Sequence, residues 1–474
     1  MQKRNFDIGL IGLRTMGQNL ALNLRDHGYQ VVVYNRTLSV TKEFMKEVGP
    51  NSTMKGVDSI QELCESLQKP KKILIMVQAG MAVDAIISQC MPFLEPEDII
   101  IDGGNSHYID SERRYKDLRE KNIFFVGAGI SGGEEGARYG PSIMPGGDER
   151  AWPYIAPYFQ SISAKVEQTN EPCCDWVGEG GAGHYIKMVH NGIEYGDIQV
   201  IGEAYHTMKE ILKLSSEELH EVFKHWNRGR LHSYLIEITS KIFGYQDTDG
   251  MPLVEKIRDT AGQKGTGKWT GVSALELDVP VTLIVEAVFA RMISANRKQR
   301  TLLHKKYPRS KYSAIKNSEK ILCRLEQALY VAKIISYAQG FMLIQSAAIK
   351  YNWNLNLGTI AGLWRNGCII RSAFLKEIVR AFIKNPKLEN LLLDDFFCTA
   401  IKASMPGLRE IVALNALKGI PTPCLSAALN FFDSSTCINL PANLLQAQRD
   451  FFGAHTFQRI DRPETKFFHA QWDK

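Results

Sequence analysis

The sequence has no long apolar run. Its longest, such as Ile73 to Val77, fall far short of the ~20 residues needed to cross a bilayer, so no membrane span is expected. It also has no block of like charge. A net charge of +6 over 474 residues leaves nothing resembling a nucleic-acid-binding tail and makes an anionic small molecule the more economical partner. Nine cysteines, an odd number with no C-x-x-C pair, provide neither a disulfide framework nor a zinc site and fit a reducing cytosol. Internal repeats and low-complexity segments are not evident. The basic first residues followed by Ile8 to Leu13 look like the opening of a secretory signal. Arg14 interrupts the run and no small-residue cleavage site follows, so the segment is predicted to be a first β-strand.

What is present is an ordinary globular composition, with 45% hydrophobic and 23% charged residues. The chain is long enough to need two or three structural units. Up to about residue 180, short β-branched runs alternate with helical patterns: Ile8 to Ile11, Gln30 to Tyr34, Ile73 to Val77, Ile99 to Ile101 and Ile123 to Val126. That alternation predicts a parallel, doubly wound α/β sheet of Rossmann type over residues 1–180. From 181 to 438 apolar residues recur at three- and four-residue spacing, which predicts a large all-helical unit. Residues 439–474, rich in Pro, Gln, Arg and aromatics, lack the periodicity of a helix with its own core and are expected to dock elsewhere.

Gly12-Leu-Arg-Thr-Met-Gly17 follows the first strand and opens a predicted helix from Met16 to His27, with Gly28 as its stop. Gly12 permits a tight turn, Gly17 permits close helix packing, and the helix N-terminus offers free N–H groups to a pyrophosphate. Arg14 stands where the usual G-x-G-x-x-G has a small residue; it either adds a cation near the phosphates or obstructs the cofactor. At the end of the second strand Asn35-Arg36-Thr37 replaces the carboxylate expected of an NAD site, which selects NADP.

Two further loops leave the sheet at strand ends, Asp102-Gly-Gly-Asn-Ser106 and Ser131-Gly-Gly-Glu-Glu-Gly136. Asn105, Ser131, Gly132 and Gly133 could offer amide and hydroxyl groups to nicotinamide or substrate there. If the segment after Gly181 is helical, Lys187, His190, Asn191 and Glu194 fall at i, i+3, i+4 and i+7, on one face. One face then holds a base and an acid, and charged groups on such an apolar helix are costly to bury unless used or paired. The plain alternative is a solvated stripe with an ordinary salt bridge. Lys264, Thr266, Arg291 and Arg449 could form an anion clamp, although sequence alone does not bring them together. Gly262 to Lys268 imitates a P-loop, but Trp269 occupies the magnesium-binding Ser/Thr position and no strand precedes it.

Taken together, several ordered segments resemble the 6-phosphogluconate dehydrogenase family essentially end to end. They are Ile8 to Leu13, Asn35 to Thr37, Asp102 to Ser106, Ser131 to Gly147, Lys187 to Gly196, Gly265 to Thr270 and Arg449 to His455. The resemblance implies a cytoplasmic enzyme of the oxidative pentose phosphate branch and of gluconate utilisation. It would convert 6-phospho-D-gluconate to D-ribulose 5-phosphate and CO2 without a metal, reducing NADP. It implies Lys187 as base and Glu194 as the acid that protonates C1 of the enediol. It further implies substrate contacts at Asn105, Ser131, Gly132, Gly133, His190, Asn191, Tyr195, Lys264, Thr266 and Arg291. Arg449 and His455 lie on a tail that, in the family, reaches the active site of the other subunit, so an obligatory homodimer is implied. The expected cofactor surface comprises Gly12, Arg14, Met16, Gly17, Asn35, Arg36, Thr37, Val77, Gln78, Ala79 and Asn105.

The chain departs from the family pattern at Arg14, at Gln78 and Val40 where lysines are common, and at Asn366 where glycine is typical. Two alternatives follow. A dehydrogenase for another, unphosphorylated β-hydroxy acid is opposed by Lys264, Arg291 and Arg449, which an uncharged substrate tail leaves without a role. A catalytically silent NADP-binding homologue is suggested by the three cofactor-side departures and opposed by the retention of Lys187 and Glu194.

Overall fold

The computed structural model describes residues 5–50, 53–167, 169–308 and 318–472. The chain forms two compact units, residues 1–428 and 429–474.

The first unit opens with an eight-stranded sheet: β1 (Ile8–Ile11), β2 (Val31–Tyr34), β3 (Met54–Gly56), β4 (Lys72–Ile75), β5 (Ile99–Asp102), β6 (Phe124–Ser131), β7 (Ser142–Gly147) and β8 (Gly178–Glu179). Their spatial order is β3-β2-β1-β4-β5-β6-β7-β8. The sheet is parallel from β3 to β6, as the alternating pattern predicts for a doubly wound fold, and its order reverses between β1 and β4. β7 departs from that expectation: it runs antiparallel to β6. Pro145 and two terminal glycines disguise it in the sequence, because they lack the β-branched signal of the other strands.

Among the described residues seven helices accompany the sheet: α1 (Thr15–Asp26), α2 (Leu38–Val48), α3 (Ile60–Ser66), α4 (Met81–Cys90), α5 (Tyr108–Arg119), α6 (Gly133–Tyr139) and α7 (Trp152–Ile162). Successive strand residues point to opposite faces, so both faces are covered. Leu10, Val33, Leu74 and Ile101 pack with Leu20, Leu24, Ile155 and Phe159 on one side. Ile11, Val32, Ile75 and Ile100 pack with Leu63, Val83 and Leu118 on the other.

After β8 the described residues carry helices and no further strand of the sheet. α8 (Ala182–Thr207) is followed by α9 (Ser216–Trp226), α10 (Tyr234–Gly244), α11 (Thr266–Glu276), α12 (Thr282–Ala295) and α13 (Arg297–Lys306). Then come α14 (Ser318–Tyr351), α15 (Leu357–Leu363), α16 (Leu375–Lys384), α17 (Asp395–Leu417) and α18 (Pro423–Thr436). Among the described residues no helix is long and apolar enough to cross a membrane.

Two features carry the sheet to the helices. Ile75, Asp102 and Gly127 lie in register, so β4, β5 and the parallel part of β6 end at one level. β6 continues for four residues paired with β7 only, which carries Ser131 about 13 Å further. α8 lies across this extension. A Cβ on Gly129 would sit 2.3 Å from the Lys187 Cβ, and one on Gly183 would sit 2.1 Å from the Gly127 carbonyl oxygen. Bare backbone on both elements is what lets them approach.

The second unit contains a helix where the sequence pattern offered none, α19 (Ala442–Gly453). The unit is organised around a carboxylate. Fully buried Asp450 accepts hydrogen bonds from Thr456 N (2.9 Å), His469 Nδ1 (3.0 Å), Ala470 N (3.0 Å) and Trp472 Nε1 (2.8 Å).

Candidate active site

The turn after β1 is built as a dinucleotide turn requires. Gly12 has φ +105°, and a Cβ on it would meet the Met76 carbonyl oxygen at 2.4 Å. A Cβ on Gly17 would meet the Gly12 carbonyl oxygen at 1.9 Å, so only glycine permits α1 to start this close to the turn. The N-terminus of α1 has no side-chain cap and no acid in its first turn, which leaves its positive end open to an anion.

Asn35 is committed to the scaffold: its Oδ1 accepts from Leu13 N at 3.1 Å and its Nδ2 donates to Thr37 O at 3.1 Å. Arg36 and Arg14 are exposed, and neither guanidinium forms a hydrogen bond or ion pair with another described residue. Thr37 caps α2 by position without a side-chain bond. Met16 and Val77 are half-buried against the sheet's two cores. Gln78 is exposed, and Ala79 leads into Gly80, which begins α4 with φ +89°. An uncapped helix end, a glycine turn, two uncommitted guanidiniums and no acid closing β2 fit the phosphates of NADP.

The chemistry-bearing face belongs to α8, where Lys187, His190, Asn191 and Glu194 share a side as their spacing predicts. Lys187 is 7% exposed, so the solvated-stripe alternative does not hold. Its amine lies 3.4 Å from His190 Nδ1, which is 3.1 Å from Asn191 Oδ1. His190 Nε2 lies 3.3 Å from Ser131 Oγ at the tip of β6. Gly132 (φ +126°) and Gly133 (φ +64°) follow, and a Cβ on Gly132 would meet the Gly367 carbonyl oxygen at 2.6 Å.

Burial pushes the Lys187 amine below the usual lysine range, against the opposing pull of Glu194. The magnitudes explain the direction. Two helical turns apart, opposite charges attract by about 1.7 kcal/mol at an effective dielectric near 20, whereas stripping water from an ammonium costs several kcal/mol. Burial likewise pushes the Glu194 carboxyl up, partly offset by Lys187 and Arg291. Burial and the Lys187 charge hold His190 well below the ordinary imidazole range, so it is neutral. The face therefore tends toward a free amine and a protonated acid, the reverse of their states in water.

The proposed anion clamp is partly assembled within the first unit. The Arg291 guanidinium stacks 3.6 Å from the centre of the Tyr195 ring and donates to the Gly262 carbonyl oxygen at 3.3 Å. A Cβ on Gly267 would meet that same ring at 2.7 Å. Arg291, Tyr195 and the Gly262–Gly267 segment thus converge, with Thr266 buried at the start of α11 and Lys264 exposed. Asn105 is exposed on the loop after β5. Arg449 and His455 are exposed in the second unit.

Sequence reasoning missed several groups. Buried Arg114 on α5 donates to Asp102 (3.1 Å), to Asp84 (2.8 Å) and to the Gly80 carbonyl oxygen (3.0 Å), tying the loops after β4 and β5 together. Nothing in its own segment signals that. Asp197 on α8 pairs with Lys333 on α14, both fully buried. His184 was legible in principle, because it stands three residues before Lys187 on the same helix. Among the described residues no group of three or more His, Cys, Asp or Glu is placed to hold a metal ion.

A doubly wound dinucleotide sheet, joined to a helix that presents a buried amine and a half-buried carboxyl group on one face, defines a dinucleotide-dependent dehydrogenase. Comparison with known proteins makes the assignment specific. Residues 7–178 match the NAD binding domain of 6-phosphogluconate dehydrogenase, and residues 183–472 match the 6-phosphogluconate dehydrogenase C-terminal domain. The chain is 54% identical over 474 residues to "6-phosphogluconate dehydrogenase, decarboxylating 1" of Saccharomyces cerevisiae, covering 98% of this chain and 96% of the relative. The Homo sapiens protein "6-phosphogluconate dehydrogenase, decarboxylating" is 53% identical over 467 residues with the same coverage. A solved structure of Plasmodium falciparum 6-phosphogluconate dehydrogenase, described in apo form and in complex with its cofactor NADP+ and with its substrate 6-phosphogluconate, superposes with a TM-score of 0.95. It shares 46% identity and covers 98% of this chain and 100% of its own. The chain belongs to the 6-phosphogluconate dehydrogenase family.

The coupling across α8 yields a prediction. Glu194→Gln removes a carboxylate that favours the Lys187 ammonium, so the titration midpoint of that amine should move further down. Nitrogen or carbon NMR of the Lys187 side chain measures it, and a midpoint that stays or rises would show the two groups to be uncoupled.

Proposed function

We propose that this chain oxidises and decarboxylates 6-phospho-D-gluconate to D-ribulose 5-phosphate and CO2 while reducing NADP, the activity named in its full-length relatives. The observation that carries the reading is the α8 face with Lys187 buried and Glu194 half-buried, whose amine is shifted toward a base and whose carboxyl is shifted toward an acid.

NADP, when bound, supplies the hydride acceptor. Gly12, Gly17 and the α1 N-terminus would receive its pyrophosphate and Arg36 its ribose phosphate, with Arg14, Met16, Asn35, Thr37, Val77, Gln78, Ala79 and Asn105 completing the surface. Lys187 takes the proton from the substrate 3-hydroxyl as C3 is oxidised. In the resulting 3-keto acid, protonated Lys187 donates to the keto oxygen and draws electron density from the breaking C1–C2 bond. Carbon dioxide departs, and Glu194 protonates the terminal carbon of the enediol, C1 of the product, while Lys187 takes back the proton from the C2 hydroxyl and the ketone is restored. Ser131, Gly132, Gly133, His190 and Asn191 hold the sugar acid, while Tyr195, Lys264, Thr266 and Arg291 hold its phosphate end.

Arg449 and His455 would complete this site from a second copy of the chain. Supporting that reading are exposed apolar side chains on both units: Phe289, Met292, Ile293, Leu302 and Leu303 in the first, and Leu444, Leu445, Phe451 and Phe452 in the second. The domain division follows the same logic, with a cofactor domain at 1–180, a helical substrate and dimerisation domain at 181–438, and an exchanged tail at 439–474. Nine free thiols agree with a cytoplasmic location.

Assaying NADPH formation tests the reading directly: 6-phosphogluconate should turn over and gluconate hardly at all. A preference for gluconate would remove the phosphate assignment, and binding of NADP without turnover would indicate a silent homologue. Lys187→Met should lower turnover at least about 10²-fold without lowering thermal stability. The sign follows from linkage. A lysine with a lowered folded pKa costs no stability above its unfolded pKa, and costs progressively more as pH falls below it toward the folded value. The stability of the methionine variant relative to wild type should therefore increase as the solution is acidified from high pH. Arg36→Ala should reduce the kcat/KM preference for NADP over NAD at least about tenfold; an unchanged ratio would transfer that role to Arg14.

A further inference from the structure

Gly104 is held at both ends of its backbone. Its N–H donates to Asp102 Oδ1 at 3.0 Å, and its carbonyl oxygen lies 3.0 Å from His184 Nε2. That carbonyl belongs to the peptide that leads directly into Asn105. The other ring nitrogen, Nδ1, lies 2.6 Å from Ser111 Oγ on α5. A carbonyl oxygen only accepts, so Nε2 must carry the proton. In the neutral ring Nδ1 is then an acceptor, and the Ser111 hydroxyl donates to it. Burial favours this neutral form, while Asp102 nearby opposes it. The ring is 1% exposed and fits only because β6 has no side chain at Gly127, where a Cβ would come within 2.7 Å of Nδ1. His184 also stands three residues before Lys187, so one helix face orients the base and grips the loop opposite.

We propose that His184 is a positioning residue: through its bond to the Gly104 carbonyl it fixes Asn105 relative to Lys187. This rests on the reading of Asn105 as a contact to substrate or nicotinamide. Ser111 is the second member of the device, since its hydroxyl selects the imidazole tautomer that can donate to Gly104. Asp102 holds the same residue from the opposite side, and it is itself anchored by Ser106 Oγ at 2.6 Å and Arg114 at 3.1 Å. The loop therefore has a fixed amide end and a carbonyl end that depends on one imidazole.

The test uses the full chain and compares two side chains of similar size. Gln places an amide donor near the position of Nε2, whereas Asn places one near Nδ1 and does not reach Gly104. His184→Gln should keep kcat within about threefold of wild type. His184→Asn should lower it about 10- to 100-fold with the KM for NADP little changed, because misplacing a contact by about 1 Å has costs of that order. Ser111→Ala, which alters little volume, should lower kcat several-fold and decides the matter should both histidine variants fail to fold. Unchanged kcat in His184→Asn or Ser111→Ala would overturn the proposal. So would equal losses in the Gln and Asn variants accompanied by equal falls in thermal stability, which mark a packing role. Asn105→Ala separates the two layers: if it alone leaves turnover intact, the reading of Asn105 is wrong, whereas a loss there with none in His184→Asn rejects only the role of His184.

Discussion

The chemistry proposed for this fold depends on burying one amine without giving it a hydrogen-bonded carboxylate. Lys187 occupies a position where β6 offers only the bare backbone of Gly129, and its nearest polar neighbour is a neutral imidazole. An ammonium there must surrender its water without full compensation, and that is the physical origin of a lysine disposed to act as a base. Had β6 carried a side chain at residue 129, the helix would have to stand off and the amine would regain water.

The same helix shows a buried carboxylate that is given a direct partner. Three residues beyond Glu194, Asp197 is in direct contact with Lys333, and the pair closes on itself between α8 and α14. Burial still disfavours the Asp197 charge, Lys333 opposes that, and Asp197 Oδ1 has no hydrogen-bond partner among the described residues. Asp197 in turn disfavours a second negative charge at Glu194. One carboxylate–lysine pair is thus closed and structural. The other is held open by about 10 Å of helix.

How much of this was legible in the sequence divides along physical lines. Strands buried on both faces announce themselves as β-branched runs, so five strands and their parallel, doubly wound arrangement follow from the sequence pattern, whereas β3 and β8, two or three residues long and lacking such a run, do not. The face of α8 follows from helical periodicity alone. β7 and α19 escaped because glycine, proline and a buried aspartate replace the apolar pattern there. Arg114 escaped for a different reason: its three acceptors come from segments distant in sequence, and only the sheet order places α4 beside α5. Convergence of Arg291 on Tyr195 and Gly262 is likewise a property of how α8 and α12 pack.

The departures from the family pattern are intelligible on the same terms. Val40, where a lysine is common, is half-buried and packs against the core beside Phe44, so a cation there was exchanged for apolar contact. Arg14 stands at the N-cap of α1 with its guanidinium exposed and without a partner among the described residues. Its positive charge stands at the open end of α1, a position where the helix dipole and the free N–H groups already favour a phosphate. Asn366, where glycine is typical, spans two backbones, its Nδ2 donating to Lys165 O at 2.9 Å and its Oδ1 accepting from Gly367 N at 2.8 Å. That bond steadies the Gly367 carbonyl, which lies where a side chain at Gly132 would have to go. A substitution remote from the reacting atoms thereby supports the loop at the tip of β6.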